Sequence, residues 1–178
     1  GRAALANPTG ATVVNGQVTM NQAGSLLSIT NSPNSIINWQ SFSIGAGEIT
    51  RFTQQSAASA VLNRVVGAGG AIDPSVILGA LQSNGRVFLL NPAGIVFGAG
   101  SQIDVAGLIA SSLALSDADF LGGRLRFTEV AGAGAVVNEG AINAPGGPVY
   151  LVGPSVTNGG VITSPQREVI LGGGKSLG

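Results

Sequence analysis

Apolar positions in this chain fall in short runs separated by glycine, proline and asparagine, without a helical period. Val87–Leu90 and Ile95–Phe97 are each too short for a globular helix and rich in β-branched and aromatic residues, so they read as short buried strands. Between them, Asn91-Pro92-Ala93-Gly94 has the residues of a type I β-turn. Asn accepts local backbone bonds, Pro presets φ, and Gly relaxes the fourth position. A second corner at Gly98-Ala99-Gly100 leads into Gln102-Ile103-Asp104-Val105, which alternates polar and apolar, and Gly107 then precedes Leu108-Ile109-Ala110. Strand, corner, strand, corner, strand is one lap of a coil.

Neighbouring laps are visible as a repeat. Asn138, Gly140, Ile142, Pro145, Val149, Leu151 and Gly153 recur as Asn158, Gly160, Ile162, Pro165, Val169, Leu171 and Gly173, each 20 positions further on. Short strands with glycine corners at such a period predict a β-solenoid. Each strand then pairs with its equivalents one lap above and below, about 4.8 Å away. Asn138 and Asn158 would form either an amide ladder along the axis or two turn asparagines facing water.

The other runs fill in the plan. Thr12–Val14 and Gln17–Met20 flank Asn15-Gly16, which predicts a hairpin placed to cap the open end of the solenoid. Leu26–Thr30 and Ile36–Trp39 are strands around the turn Asn31–Asn34, with Trp39 as a core anchor. Glu48–Val66 reads as strands outside the coil: Ser56–Arg64 has some helix propensity, but Val61, Val65 and Val66 oppose it. Asp73-Pro74, followed by Val76-Ile77-Leu78 and Gly79, predicts one short turn of helix. After Ser112 the laps break. Asp117-Ala118-Asp119 with Phe120-Leu121 reads as a surface excursion, and Arg124–Thr128 as a strand with one wet face. Laps resume at Gly132 and run on without a capping signal. Residues 1–178 are therefore expected to form one domain, the N-terminal portion of a longer solenoid. Residues 1–6 are read as a signal-peptide remnant or a cloning scar.

Composition narrows the chemistry. Charged residues make up 9 % of the chain, hydrophobic ones 44 %, and 29 residues are glycine, which excludes an extended disordered chain. Net charge is zero and the basic residues are scattered, so neither a nucleic acid nor an anionic membrane is an expected partner. Histidine and cysteine are absent, which removes the usual metal ligands, thiol chemistry and His-based acid–base catalysis. No cofactor is expected. No apolar run reaches the roughly 18 residues of a membrane span. Among the eight acids only Asp117 and Asp119 share a face of an extended strand, and without a basic or aromatic subsite they read as a solvated loop pair.

The residues around the organising turn resemble a family. Asn91-Pro92-Ala93-Gly94-Ile95 is similar to the NPNGI motif of the two-partner secretion domain, which begins filamentous haemagglutinin-like exoproteins of Gram-negative bacteria. Ala60-Val61-Leu62-Asn63-Arg64-Val65, Asn84-Gly85-Arg86-Val87-Phe88-Leu89, Phe97-Gly98 and the start Asn7-Pro8-Thr9-Gly10 resemble further segments of that family, in its order. Ala93 replaces the second Asn of the motif, and the companion NPNL motif has no clear copy. That pattern is nearer the haem-utilisation and high-molecular-weight adhesin branch.

The resemblance implies an all-β, right-handed parallel β-helix with an N-terminal cap and short extrahelical strands. It implies a secretion domain and not an enzyme, secreted or held at the cell surface after passage through the periplasm. The implied partners are the POTRA domains of an outer-membrane TpsB-type transporter and the β-helical passenger in cis; a monomer without membrane insertion is expected. A transporter that engages the chain before it folds would read extended apolar segments. Ala60, Val61, Leu62, Asn63 and Arg64, with Arg86, Val87, Phe88 and Leu89, are the candidates for such strand addition. The alternative is a glycan-binding or polysaccharide-active β-helix.

Overall fold

The computed structural model describes residues 6–171 and 176–177. Two strands, β1 (Thr12–Asn15) and β2 (Val18–Ala23), precede the coil. The first laps contain β3 (Leu26–Asn31), β4 (Ser35–Trp39), β5 (Ile49–Thr53), β6 (Ala60–Val65), β7 (Ser75–Ile77) and β8 (Ala80–Ser83). The lap through the organising turn is β9 (Arg86–Leu90), β10 (Ile95–Phe97) and β11 (Gln102–Asp104), followed by β12 (Gly107–Ser111). An excursion then carries the short helix α1 (Asp117–Leu121) and β13 (Leu125–Arg126). The coil continues through β14 (Val136–Asn138), β15 (Ala141–Asn143), β16 (Pro148–Gly153), β17 (Val156–Asn158), β18 (Val161–Thr163) and β19 (Gln166–Leu171). Finally β20 (Ser176–Leu177) pairs antiparallel with β13, outside the coil.

The coil has three walls. The first stacks β1-β4-β6-β9-β12-β16-β19, the second β17-β14-β10-β7, and the third β18-β15-β11-β8-β5-β3-β2. Within the coil every wall is parallel, because the chain returns to a wall in the same direction after each lap. This is a right-handed parallel β-helix, the hand that parallel crossovers take. Short strands suffice because most of them pair on two sides. Columns of inward side chains fill the interior: Leu81, Ile103, Ile142 and Ile162 on the third wall, Val61, Val87, Leu108 and Val149 on the first. Trp39 and Phe42 meet edge to face at 5.7 Å, and Trp39 is 1 % exposed, as a core anchor should be.

The 20-residue repeat holds on two walls. Asn138 pairs with Asn158 and Ile142 with Ile162. Gly160 recurs with Gly140 because a Cβ at 160 would collide with the Gly140 carbonyl as the corners stack. On the first wall the register tightens by two residues, and Leu151 lies against Val169, not Leu171. A two-residue slip preserves which face each side chain takes. Gly173, the last member of the repeat, lies outside the described residues.

Three sequence expectations are corrected. Asn15-Gly16 does not close a hairpin: β1 pairs antiparallel with β4 on the first wall, β2 with β3 on the third. Gly16, at φ +85°, turns the chain from one wall to the other, so both strands cover the start of the coil separately. Residues 48–66 are not outside the coil. β5 sits between β3 and β8, and β6 between β4 and β9, with Phe52, Val61 and Leu62 buried. Asp73-Pro74 starts no helix. Pairing with β10 turns Ser75–Ile77 into a strand, and the Ser75 N–H donates to Gly94 O at 3.0 Å. Parallel pairing satisfies donors that a single isolated helical turn would leave open.

Candidate functional site

The turn and the predicted recognition segments meet around the first wall. Asn91 ends that wall, fully buried, and its backbone N–H donates to Ser111 O on the next lap at 3.0 Å. Its carbonyl accepts from Gly94 N at 3.0 Å, closing the predicted turn. The side chain works in two directions. Its Oδ1 accepts from Ala93 N at 2.9 Å within the turn, while its Nδ2 donates to Asp73 O at 2.9 Å and Ser75 Oγ at 3.0 Å on the lap before. Pro92 O accepts from Gly134 N at 2.9 Å, and Ile95 N donates to Ala135 O at 3.0 Å on the lap after. Gly94 has φ +114°, and a Cβ there would stand 2.8 Å from Ala135 O. One Asn and one Gly therefore tie three laps at a corner. Ala93 takes part through its backbone N–H, which any residue but Pro supplies.

The segments Ala60–Arg64 and Arg86–Leu89 lie on adjacent strands. In β6 and β9, Ala60 pairs with Arg86, Val61 with Val87, Leu62 with Phe88 and Asn63 with Leu89. Alternation sends Val61, Asn63, Val87 and Leu89 inward, and Ala60, Leu62, Arg64, Arg86 and Phe88 outward. Both faces are buried, but by different partners. The inner face joins the main core, whereas Ala60, Leu62, Phe88 and Leu90 belong to a second apolar cluster outside the coil. Asn63 is the one polar residue among the inward ones. Its Oδ1 accepts from Trp39 Nε1 at 2.9 Å, and its Nδ2 donates to Phe88 O at 3.1 Å.

What covers the outer face is the excursion, residues 113–135. Leu113, Leu115, Phe120 and Phe127 pack on Ile36, Leu62, Phe88, Leu90 and Ile109, with the Phe88 and Phe120 rings edge to face at 5.0 Å. Ala114 and Thr128 exchange backbone bonds of 3.0 and 2.9 Å that close its base. Arg64 holds it from below: Nη1 lies 2.7 Å from Asp117 Oδ1, and Nη2 donates to Leu115 O at 2.8 Å. Ser116 caps α1, accepting from Asp119 N at 3.1 Å. Asp119 accepts from Arg124 Nε at 2.9 Å; that bond, helped by Arg126 at 3.9 Å and opposed by partial burial, holds the Asp119 carboxyl below its usual range. Asp117 and Asp119 thus serve two separate structural ion pairs. Arg86, half-exposed, donates to Ala58 O at 2.9 Å beside a groove of about 550 Å³ that reaches Phe88 and Phe120.

Several of these roles escaped the sequence. Asn7 is buried; its Oδ1 accepts from Thr50 Oγ1 at 3.0 Å and its Nδ2 donates to Ser25 O at 3.0 Å, plugging the start of the coil. Helix α1 had a visible signal, Ser116-Asp117-Ala118-Asp119 before Phe120-Leu121, a capping-box spacing. Among the described residues no helix is long and apolar enough to cross a membrane, and no group of three His, Cys, Asp or Glu side chains stands together.

A three-walled coil with an antiparallel cap and one wall covered by the excursion places the chain among the parallel β-helix proteins. The chain belongs to the TPS secretion domain family, which it matches over residues 4–177. Its fold is similar to that of the HMW1 secretion domain from Haemophilus influenzae, with a TM-score of 0.87 and 34 % identity over 94 % of this chain and 45 % of that one. A heme/hemopexin-binding protein from Haemophilus influenzae (strain ATCC 51907 / DSM 11121 / KW20 / Rd) is 37 % identical over 138 residues, which is 76 % of this chain and 15 % of the relative. A second Haemophilus influenzae heme/hemopexin-binding protein is 42 % identical over 76 residues, 43 % of this chain and 8 % of the relative. The chain thus spans a small part of the length of the curated relatives it matches.

Proposed function

We propose that this domain directs a larger exoprotein to a dedicated outer-membrane transporter of the TpsB type and starts the folding of that exoprotein at the cell surface. The protein passes through the periplasm unfolded, and the transporter's POTRA domains read the segments Ala60–Arg64 and Arg86–Leu89 while these are extended. Membership of the secretion-domain family supports the first step. The observation that carries the second is the capped start of the coil. At the start, β1 and β2 run antiparallel to the walls and Asn7 plugs the interior. Growth from that cap runs away from it: every added lap buries its apolar face on the previous one, so elongation is downhill once the capped nucleus exists. Folding at the surface draws the passenger outward without ATP.

The experiment is export of a reporter fused behind the domain, in cells with and without the transporter. Reporter outside the cell only when both partners are present supports the reading. Reporter retained in the periplasm with both present contradicts it.

A further inference from the structure

We propose that the outer face of β6 and β9 is the transporter's docking surface and that the strap, residues 113–135, is its intramolecular competitor, which takes over that face when the domain folds and releases it. The inference rests on the secretion reading above and assigns its recognition surface. Ala60, Leu62, Phe88 and Leu90 point out of the coil, yet they are as apolar as the residues pointing in. A β-helix wall with nothing outside it alternates apolar and polar residues. The third wall does so, with Arg51, Gln82, Asp104 and Asn143 in one outward column. The first wall needs something to cover it, and the strap supplies both chemistries required: Leu113, Leu115, Phe120 and Phe127 for the apolar surface, Asp117 for Arg64.

Sequence order makes the competition vectorial. Leu115, whose carbonyl holds Arg64, follows it by 51 residues. The docking strands can therefore be bound before the segment that covers them has seated. Strap and transporter must present equivalent chemistry to the same strands, so the transporter's contact surface is apolar with a carboxylate placed for Arg64. The groove beside Arg86, where Phe88 and Phe120 meet, is the edge from which strap and transporter exchange.

The test uses purified POTRA domains and the folded domain. Asp117→Arg sets like charges against each other and unseats the strap; Asp117→Glu keeps the ion pair and leaves the docking face unchanged. Hydrogen exchange at residues 113–128 reports seating, and Phe120→Asp replaces Asp117→Arg if exchange there does not rise. Ile162→Ala, in the core far from the strap, destabilises without unseating it. The expected result is POTRA affinity raised about tenfold or more by the unseated strap, with Asp117→Glu and Ile162→Ala at the parent value. A folded, unseated variant that binds no better than parent overturns the inference. So does an Ile162→Ala variant that binds as well as the unseated one, since general unfolding then suffices. In both cases the secretion reading survives if urea-unfolded domain binds. If unfolded domain also fails to bind, the secretion reading fails with it.

Discussion

Trp39 Nε1 donates to Asn63 Oδ1 at 2.9 Å in the interior of the coil, the one side-chain bond that joins the first wall's Trp to the lap above it. Asn63 Nδ2 continues the chain to Phe88 O, so two side-chain bonds span three laps. Asn63→Ala leaves the indole N–H unpaired in an apolar interior and is expected to cost about 1–3 kcal/mol. Urea unfolding of Asn63→Ala, Trp39→Phe and the double variant measures it. The double variant should be less destabilised than the sum of the singles, since the orphaned donor exists only when Trp remains.

Gly94→Val places a β-branched side chain at φ +114° and a Cβ against Ala135 O. A cost of about 1–3 kcal/mol is expected, together with lowered secretion. Unfolding midpoint and exported reporter are measured on the same variant. Full secretion by a measurably destabilised domain would separate stability from export.

Asn138 Nδ2 donates to Asn158 Oδ1 at 2.9 Å, and each Oδ1 accepts a glycine N–H two residues on. Asn138 is fully buried and Asn158 partly exposed. Asn138→Ala should therefore cost about 1–2 kcal/mol and Asn158→Ala less, because water replaces part of what the second Asn loses. Equal effects in urea unfolding would place Asn138 in water as well.

Asp119 gives the strap a pH dependence of defined sign. Its carboxyl is held below the ordinary value of 3.8, chiefly by the Arg124 bond. A depressed folded-state pKa contributes stability above the unfolded value, and that contribution is lost as pH falls below about 3.8 through the folded value. Hydrogen exchange across α1 should rise over that interval, and Arg124→Ala should raise exchange at neutral pH and flatten its pH dependence. An unchanged profile in Arg124→Ala would assign the dependence to another group.

The lap from Val87 to Ala110 was legible because its corners carry Asn-Pro and Gly signals and its strands are either uniformly apolar or, at Gln102–Val105, strictly alternating. The same rules misplaced residues 48–66 and 73–79. Ser56–Ala60 and Asp73-Pro74 look locally like turn or helix starts, and only pairing with strands 20 to 30 residues away turns their neighbours into walls. Asn15-Gly16 carries a hairpin signal, but the partners of β1 and β2 lie downstream on two different walls. The excursion at 113–135 was visible as an interruption. Its role as a cover was not, since that depends on which side of β6 and β9 faces out, and an apolar run on both faces gives no parity to read. The candidate recognition segments were chosen as apolar and β-prone; their adjacency, Leu62 against Phe88, belongs to the fold.

The central claim is that the transporter reads these strands before the domain closes over them. The most direct measurement is the affinity of purified POTRA domains for the folded domain and for a variant held partly unfolded, such as Asn63→Ala in mild urea. The account predicts weak or undetectable binding to the folded form and binding at least about tenfold tighter to the partly unfolded one, lost again when Leu62 and Phe88 are both replaced by Ser. Folded domain that binds as tightly as the unfolded variant, or more tightly, would contradict it.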